Sequence, residues 1–109
     1  MTTLYIAGPM TGIPDYNYPA FNQAETDLRA AGYDVLNPTA SEEHNTTGTT
    51  QTWQWYMRHG LAMLVEADGV AILPGWDGSR GATLEVHVAR SLDLPVNDIA
   101  GWLTKALAE

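Results

Sequence analysis

The residues best suited to chemistry lie in one stretch, Pro74 to Leu92, which reads Pro-Gly-Trp-Asp-Gly-Ser-Arg-Gly-Ala-Thr-Leu-Glu-Val-His-Val-Ala-Arg-Ser-Leu. Ser79 stands where a helix N-cap belongs, with Arg80 and Gly81 behind it. Unpaired backbone N–H groups, the positive end of a helix and one guanidinium would therefore converge on an anion the size of a phosphate. Glu85 follows one turn later. At helical spacing it shares a face with Gly81, Ala82, Val88, Ala89 and Leu92, the face that must pack on a sheet. Taking a carboxylate out of water costs roughly several kcal/mol unless a partner compensates. Helical side chains lean toward the N-terminus of their helix, so Glu85 is expected to aim at the mouth of the loop and the anion site beside it.

The elements that must position this stretch follow from periodicity. Val70-Ala71-Ile72-Leu73 suits a buried strand feeding the loop, and Thr3 to Ala7 reads as the first strand, broken at once by Gly8-Pro9-Met10-Thr11-Gly12. That loop runs on to Pro19, long for a strand-to-helix connection, and long ordered loops tend to be functional. It carries neither a dinucleotide fingerprint nor a Walker loop. A first helix is expected to open near Asn17 to Pro19, with Asn17 as cap, and to end at Ala31, burying Phe21, Ala24, Leu28 and Ala31. Tyr33 to Leu36 forms a second strand closed by Asn37-Pro38, and the polar run Thr39 to Thr52 reads as a mobile loop or lid.

A second helix, about Trp53 to Glu66, is apolar around most of its circumference, more than one side of a four-stranded sheet can cover. The expectation is a homodimer or larger homo-oligomer with the Trp53–Val65 helix at the interface; the alternative is a tryptophan-lined substrate wall. Leu94-Pro95-Val96 makes a fourth, minimal strand, and Asn97 or Asp98 caps a last helix with Ile99, Trp102, Leu103, Ala106 and Leu107 inward. The alternation βαβαβαβα predicts an α/β fold, a three-layer doubly wound (flavodoxin-like) parallel sheet of about four strands in the order 2-1-3-4 with helices on both faces. Strands one and three are then neighbours at the switch point. Their loops, opening at Gly8, Pro9 and Met10 and at Ser79, Arg80 and Gly81, form the two lips of one crevice, and Tyr5 is within reach of Glu85.

The 109 residues make one domain, 1–109, and carry no cysteine, so disulfides and thiolate metal sites are excluded. The formal charge of −8, from 13 acidic and 5 basic residues, opposes binding to nucleic acid polymers. A single small phosphate is still compatible with it. No secretory or membrane-spanning pattern is visible, so a cytoplasmic location without membrane attachment is expected. Glu42, Glu43 and His44 lack the spacing of a metal site, and no metal or other cofactor is expected.

Taken together, Tyr5-Ile6-Ala7-Gly8-Pro9, Asn37-Pro38, Ala67-Asp68, the Leu-Pro-Gly-Trp segment at 73–76 and Ser79-x-Gly81-x-x-x-Glu85 resemble the nucleoside 2-deoxyribosyltransferase-like superfamily. They come nearest to its phage-rich branch, domain of unknown function 4406. The resemblance implies cleavage of an N-glycosidic bond in a nucleoside or nucleotide, by deoxyribosyl transfer or by hydrolysis of a nucleoside 5′-monophosphate. It makes Glu85 the nucleophile at the anomeric carbon, Tyr5 the residue that orients it, and Ser79 with nearby loop amides the holders of the 5′-phosphate. One position departs from the pattern: Arg58-His59-Gly60-Leu61 places Gly60 where the family carries an aspartate facing the base. Among Asp15, Asp68 and Asp77, Asp77 is the acid expected to serve the base instead. The departure also opens an alternative, a catalytically silent protein that binds or sequesters a nucleotide.

Overall fold

The computed structural model describes residues 1–108. Four parallel strands, β1 (Thr3–Ala7), β2 (Asp34–Leu36), β3 (Gly69–Ile72) and β4 (Val96–Asp98), lie in the order β2-β1-β3-β4, as the sequence predicts. Tyr5 pairs with Val70 and Ala7 with Ile72, so the loops after β1 and β3 leave the sheet side by side. The helices are α1 (Tyr18–Ala30), α2 (Trp53–Leu64), α3 (Arg80–Ser91) and α4 (Ile99–Ala108).

Alternation along β1 sorts the two cores. Leu4 and Ile6 point into a core completed by Phe21, Leu28 and Val35 and by Trp102 of α4. Tyr5 and Ala7 point to the other face, where Leu64 of α2 and Ala89 of α3 meet them. Buried polar groups on the α1/α4 side are satisfied locally: Tyr33 Oη donates to Trp102 O at 2.7 Å and Trp102 Nε1 to Val70 O at 2.9 Å.

Several boundaries differ from expectation for identifiable reasons. Strand pairing at the fourth strand starts at Val96, because Pro95 has no N–H and contributes only its carbonyl, to Val70 N at 2.9 Å. Asn17 does precede α1, but its φ of 62° turns its side chain away from capping, and its amide donates instead to Pro9 O at 3.0 Å. Leu92 is 51% exposed rather than part of the packed face of α3.

The approach to the second helix differs from expectation. Pro38–His44 forms a 3-10 helix, started by Asn37, whose side-chain oxygen accepts Thr39 N–H at 3.0 Å, with Pro38 in the first position. This part of the presumed lid is a wall, held to α2 by Tyr56 Oη, which donates to Glu42 at 3.0 Å. Part of the aromatic surface of α2 is met from within the chain, while Trp53, Trp55 and Tyr56 stay partly exposed. Arg80 lies 3.7 Å over the Trp53 ring, while His59 packs tilted against Trp55 at 4.0 Å and stacks on His44 at 5.5 Å between ring centres. Val65, just past the helix, is 58% exposed. Among the described residues no helix is long and apolar enough to cross a membrane.

Candidate active site

α3 supplies the carboxylate. Ser79 has extended backbone and its Oγ accepts Ala82 N–H at 3.2 Å, so the helix begins at Arg80. One turn in, Glu85 is only 7% exposed. β1 supplies its partner: the fully buried Tyr5 donates its hydroxyl to Glu85 Oε2. Burial raises the Glu85 pKa from 4.5 to about 7, and the Tyr5 bond acts the other way by favouring the ionised form. The phenol of Tyr5 is itself held well above its ordinary range, by burial first and by the neighbouring Glu85 charge second. Its proton therefore stays on the phenol.

α2 supplies the space behind this pair. Gly60 is buried, and a Cβ there would sit 2.7 Å from Glu85 Oε2 and 2.8 Å from Tyr5 Oη. The position that the resemblance marks as a missing aspartate thus faces the Tyr5–Glu85 bond, and a side chain there would press on the pair. Gly81 has a related role at the start of α3, where a Cβ would lie 3.1 Å from Met57 Sδ and 3.7 Å from Trp53 Nε1. At the exit from β1, Gly8 lets the chain pass Leu73, whose Cβ would be 2.8 Å from any side chain there.

Glu85 and Tyr5 line a cleft of about 1030 Å³. Gly8, Pro9, Met10, Ser79, Arg80 and Gly81 all line it too, so the two predicted lips meet around one cavity. Arg80 has no carboxylate partner; the ion pairs among the described residues belong to Arg29, and the Arg80 guanidinium rests on Trp53. Ser79 has spent a lone pair as a cap, but its hydroxyl proton is free to be donated.

Asp77 is not brought in. It is exposed in the 3-10 turn Trp76–Gly78, which presents Gly78 to the cleft. Asp68 accepts Thr3 N–H at 2.8 Å at the opposite, N-terminal edge of the sheet. His59 is engaged with Trp55 O at 2.9 Å and does not line the cleft. The acids that do line it beside Glu85 are Asp15 and Glu42.

Sequence reasoning missed Ser41, Glu42 and Tyr56 as cleft residues, having treated Glu42 only as a rejected metal ligand. Asn37-Pro38 carried the missed signal: a capping residue followed by proline starts a helical turn as readily as it ends a strand. Asp15 sits in a second unforeseen feature, where Asp15, Tyr16 and Asn17 have φ of 55°, 51° and 62°. Three successive residues other than glycine in left-handed conformation are strained, and such strain concentrates at ligand sites. Among the described residues no cluster of three metal-ligating side chains is found.

Residues 2–98 match the family described as a domain of unknown function, DUF4406. Among solved structures, the chain is similar to a 2-deoxyribosyltransferase from the psychrotolerant bacterium Bacillus psychrosaccharolyticus. The TM-score is 0.65 over 86% of this chain and 69% of that one, at 21% sequence identity. The likeness is one of fold. No curated protein matches the chain.

Proposed function

The chain belongs to the DUF4406 family, and we propose that its cleft cleaves the N-glycosidic bond of a nucleoside 5′-monophosphate or nucleoside, with Glu85 as nucleophile. The observation that carries this reading is the buried Tyr5–Glu85 bond at the wall of a cleft that also holds a helix N-terminus and a free guanidinium. The named activity of the structural relative, deoxyribosyl transfer, agrees with it.

In the proposed reaction the ionised Glu85 attacks the anomeric carbon through the oxygen that Tyr5 leaves free. A C–O bond forms, the C–N bond breaks, and the base leaves with the electron pair, taking its proton from solvent. Water, or a second base, then displaces Glu85 from the sugar. Arg80, the Ser79 hydroxyl and the first amides of α3 hold the phosphate, which fixes the sugar against the carboxylate. Tyr5 stabilises the ionised state that attack requires and sets the plane of the carboxylate.

The second reading, a silent nucleotide binder, draws on Gly60, which lies against the Tyr5–Glu85 pair. Incubation with deoxynucleoside monophosphates separates the two. The enzyme releases free base and Glu85→Ala does not; retention of intact nucleotide with no release above that variant would overturn catalysis. A homo-oligomer through the 53–65 helix stays part of the proposal, and a single monomeric species in sedimentation would remove it.

A further inference from the structure

Ser41 Oγ is the one buried side-chain polar atom among the described residues that lacks a hydrogen-bond partner. The residue is 2% exposed and lines the cleft. Folded proteins seldom leave a buried hydroxyl unpaired unless something outside the chain supplies the bond. Next to it, Glu42 is held by two donors, Asn45 Nδ2 on Oε1 at 2.9 Å and Tyr56 Oη on Oε2 at 3.0 Å. Each carboxylate oxygen keeps a lone pair in hand. Tyr16, Tyr18 and Tyr56 line the same cleft, an aromatic lining suited to a flat heterocycle.

We propose that the Ser41–Glu42 wall selects a substrate whose base carries an exocyclic amine. This rests on the reading of the cleft as a nucleotide site and adds which nucleotides it takes. Glu42 can only accept hydrogen bonds, Asp15 adds a second carboxylate to the lining, and the phenol of Tyr56 is already committed to Glu42. An amine presents two N–H donors on one nitrogen, enough to satisfy Ser41 Oγ and Glu42 together. An oxo group in its place turns lone pairs toward a carboxylate. The guanidinium and the helix N-terminus of α3 take the phosphate, so the cleft is polarised to match a ligand with an anion at one position and donors at another.

The test is calorimetric titration with 2′-deoxyadenosine 5′-monophosphate and 2′-deoxyinosine 5′-monophosphate, which differ at the exocyclic group and in the ring N–H that accompanies it. Glu85→Gln serves as the parent, so that bound nucleotide is not consumed. The adenine compound is expected to bind about tenfold or more tightly than its oxo counterpart. Ser41→Ala and Glu42→Gln, each added to that parent, reduce the ratio while leaving 2-deoxyribose 5-phosphate binding unchanged. Because the ratio is taken within one polypeptide, a partial folding defect cancels. Equal affinity for the two nucleotides, or a ratio that survives both substitutions, overturns the proposal. Base release by the unaltered protein is measured alongside. A persistent ratio without release supports the wall and overturns the catalytic reading, release from both nucleotides at equal kcat/KM and equal affinity overturns the wall alone, and binding of neither overturns both.

Discussion

The two faces of the sheet each bury a tyrosine hydroxyl, and they use it differently. On the α1/α4 face Tyr33 donates to a backbone carbonyl and packs edge-on against Trp102, 5.8 Å between ring centres. On the α2/α3 face Tyr5, packed with Leu64, Val70 and Ala89, donates to the buried Glu85 carboxylate. The first arrangement closes a donor and an acceptor that folding had to desolvate anyway. The second keeps an ionisable group in a place that disfavours its charge, so it costs stability at neutral pH. On the proposed reading, the domain uses one face for folding and accepts a loss on the other in exchange for a nucleophile.

Glu85→Gln breaks the contrast most severely. Base release is expected to fall by about 10³-fold or more, since amide oxygen is no nucleophile here. The same change should stabilise the fold above neutrality. The folded pKa of about 7 lies above the unfolded 4.5, so the native state binds more protons between these values and stability is lost as pH rises through that window. The shift corresponds to about 3 kcal/mol. Denaturant titrations should therefore find Glu85→Gln more stable than the parent at pH 8 and equal to it near pH 4. Trp102→Ala on the other face has the converse profile, a loss of about 3–5 kcal/mol with turnover per folded molecule retained.

Tyr5→Phe comes next. Removing the donor that favours ionisation moves the acid limb of kcat/KM, expected near pH 7, to higher pH, and lowers the plateau by about 10- to 100-fold through lost orientation. Gly60→Ala sharpens the same point from behind. The added Cβ pushes on Glu85 and Tyr5, so kcat should drop by about tenfold while KM holds, even though alanine gains about 1 kcal/mol of helix propensity. Ser79→Ala is the mildest, about 1 kcal/mol of lost capping in thermal melts.

The architecture was legible because four apolar runs alternate with helical stripes, and because the turn residues fall where crossovers require them. Within the site, Glu85 announced itself by standing on an apolar stripe, and strand order then brought Tyr5 to it. Asp77 is exposed while Gly78 lines the cleft, because proximity along the chain says nothing about which residue of a tight turn faces inward. Gly60 shows a different limit: a sequence shows that a side chain is absent, but only packing shows what fills the room. The Ser41–Glu42 wall was hidden inside a polar run whose 3-10 helix rests on capping and on a contact with α2, neither of which leaves a hydrophobic period to read.

The central claim is that the Glu85 carboxylate forms a covalent bond to the sugar. It is tested by soaking the protein with a 2-fluoro-2-deoxy nucleoside monophosphate, which slows release of a glycosyl-enzyme, and mapping the adduct by peptide mass. The expected result is a fluorinated sugar phosphate on the peptide containing Glu85, absent from Glu85→Gln. An adduct on Asp15 or Glu42, or release of base with no adduct on any carboxylate, would contradict the account.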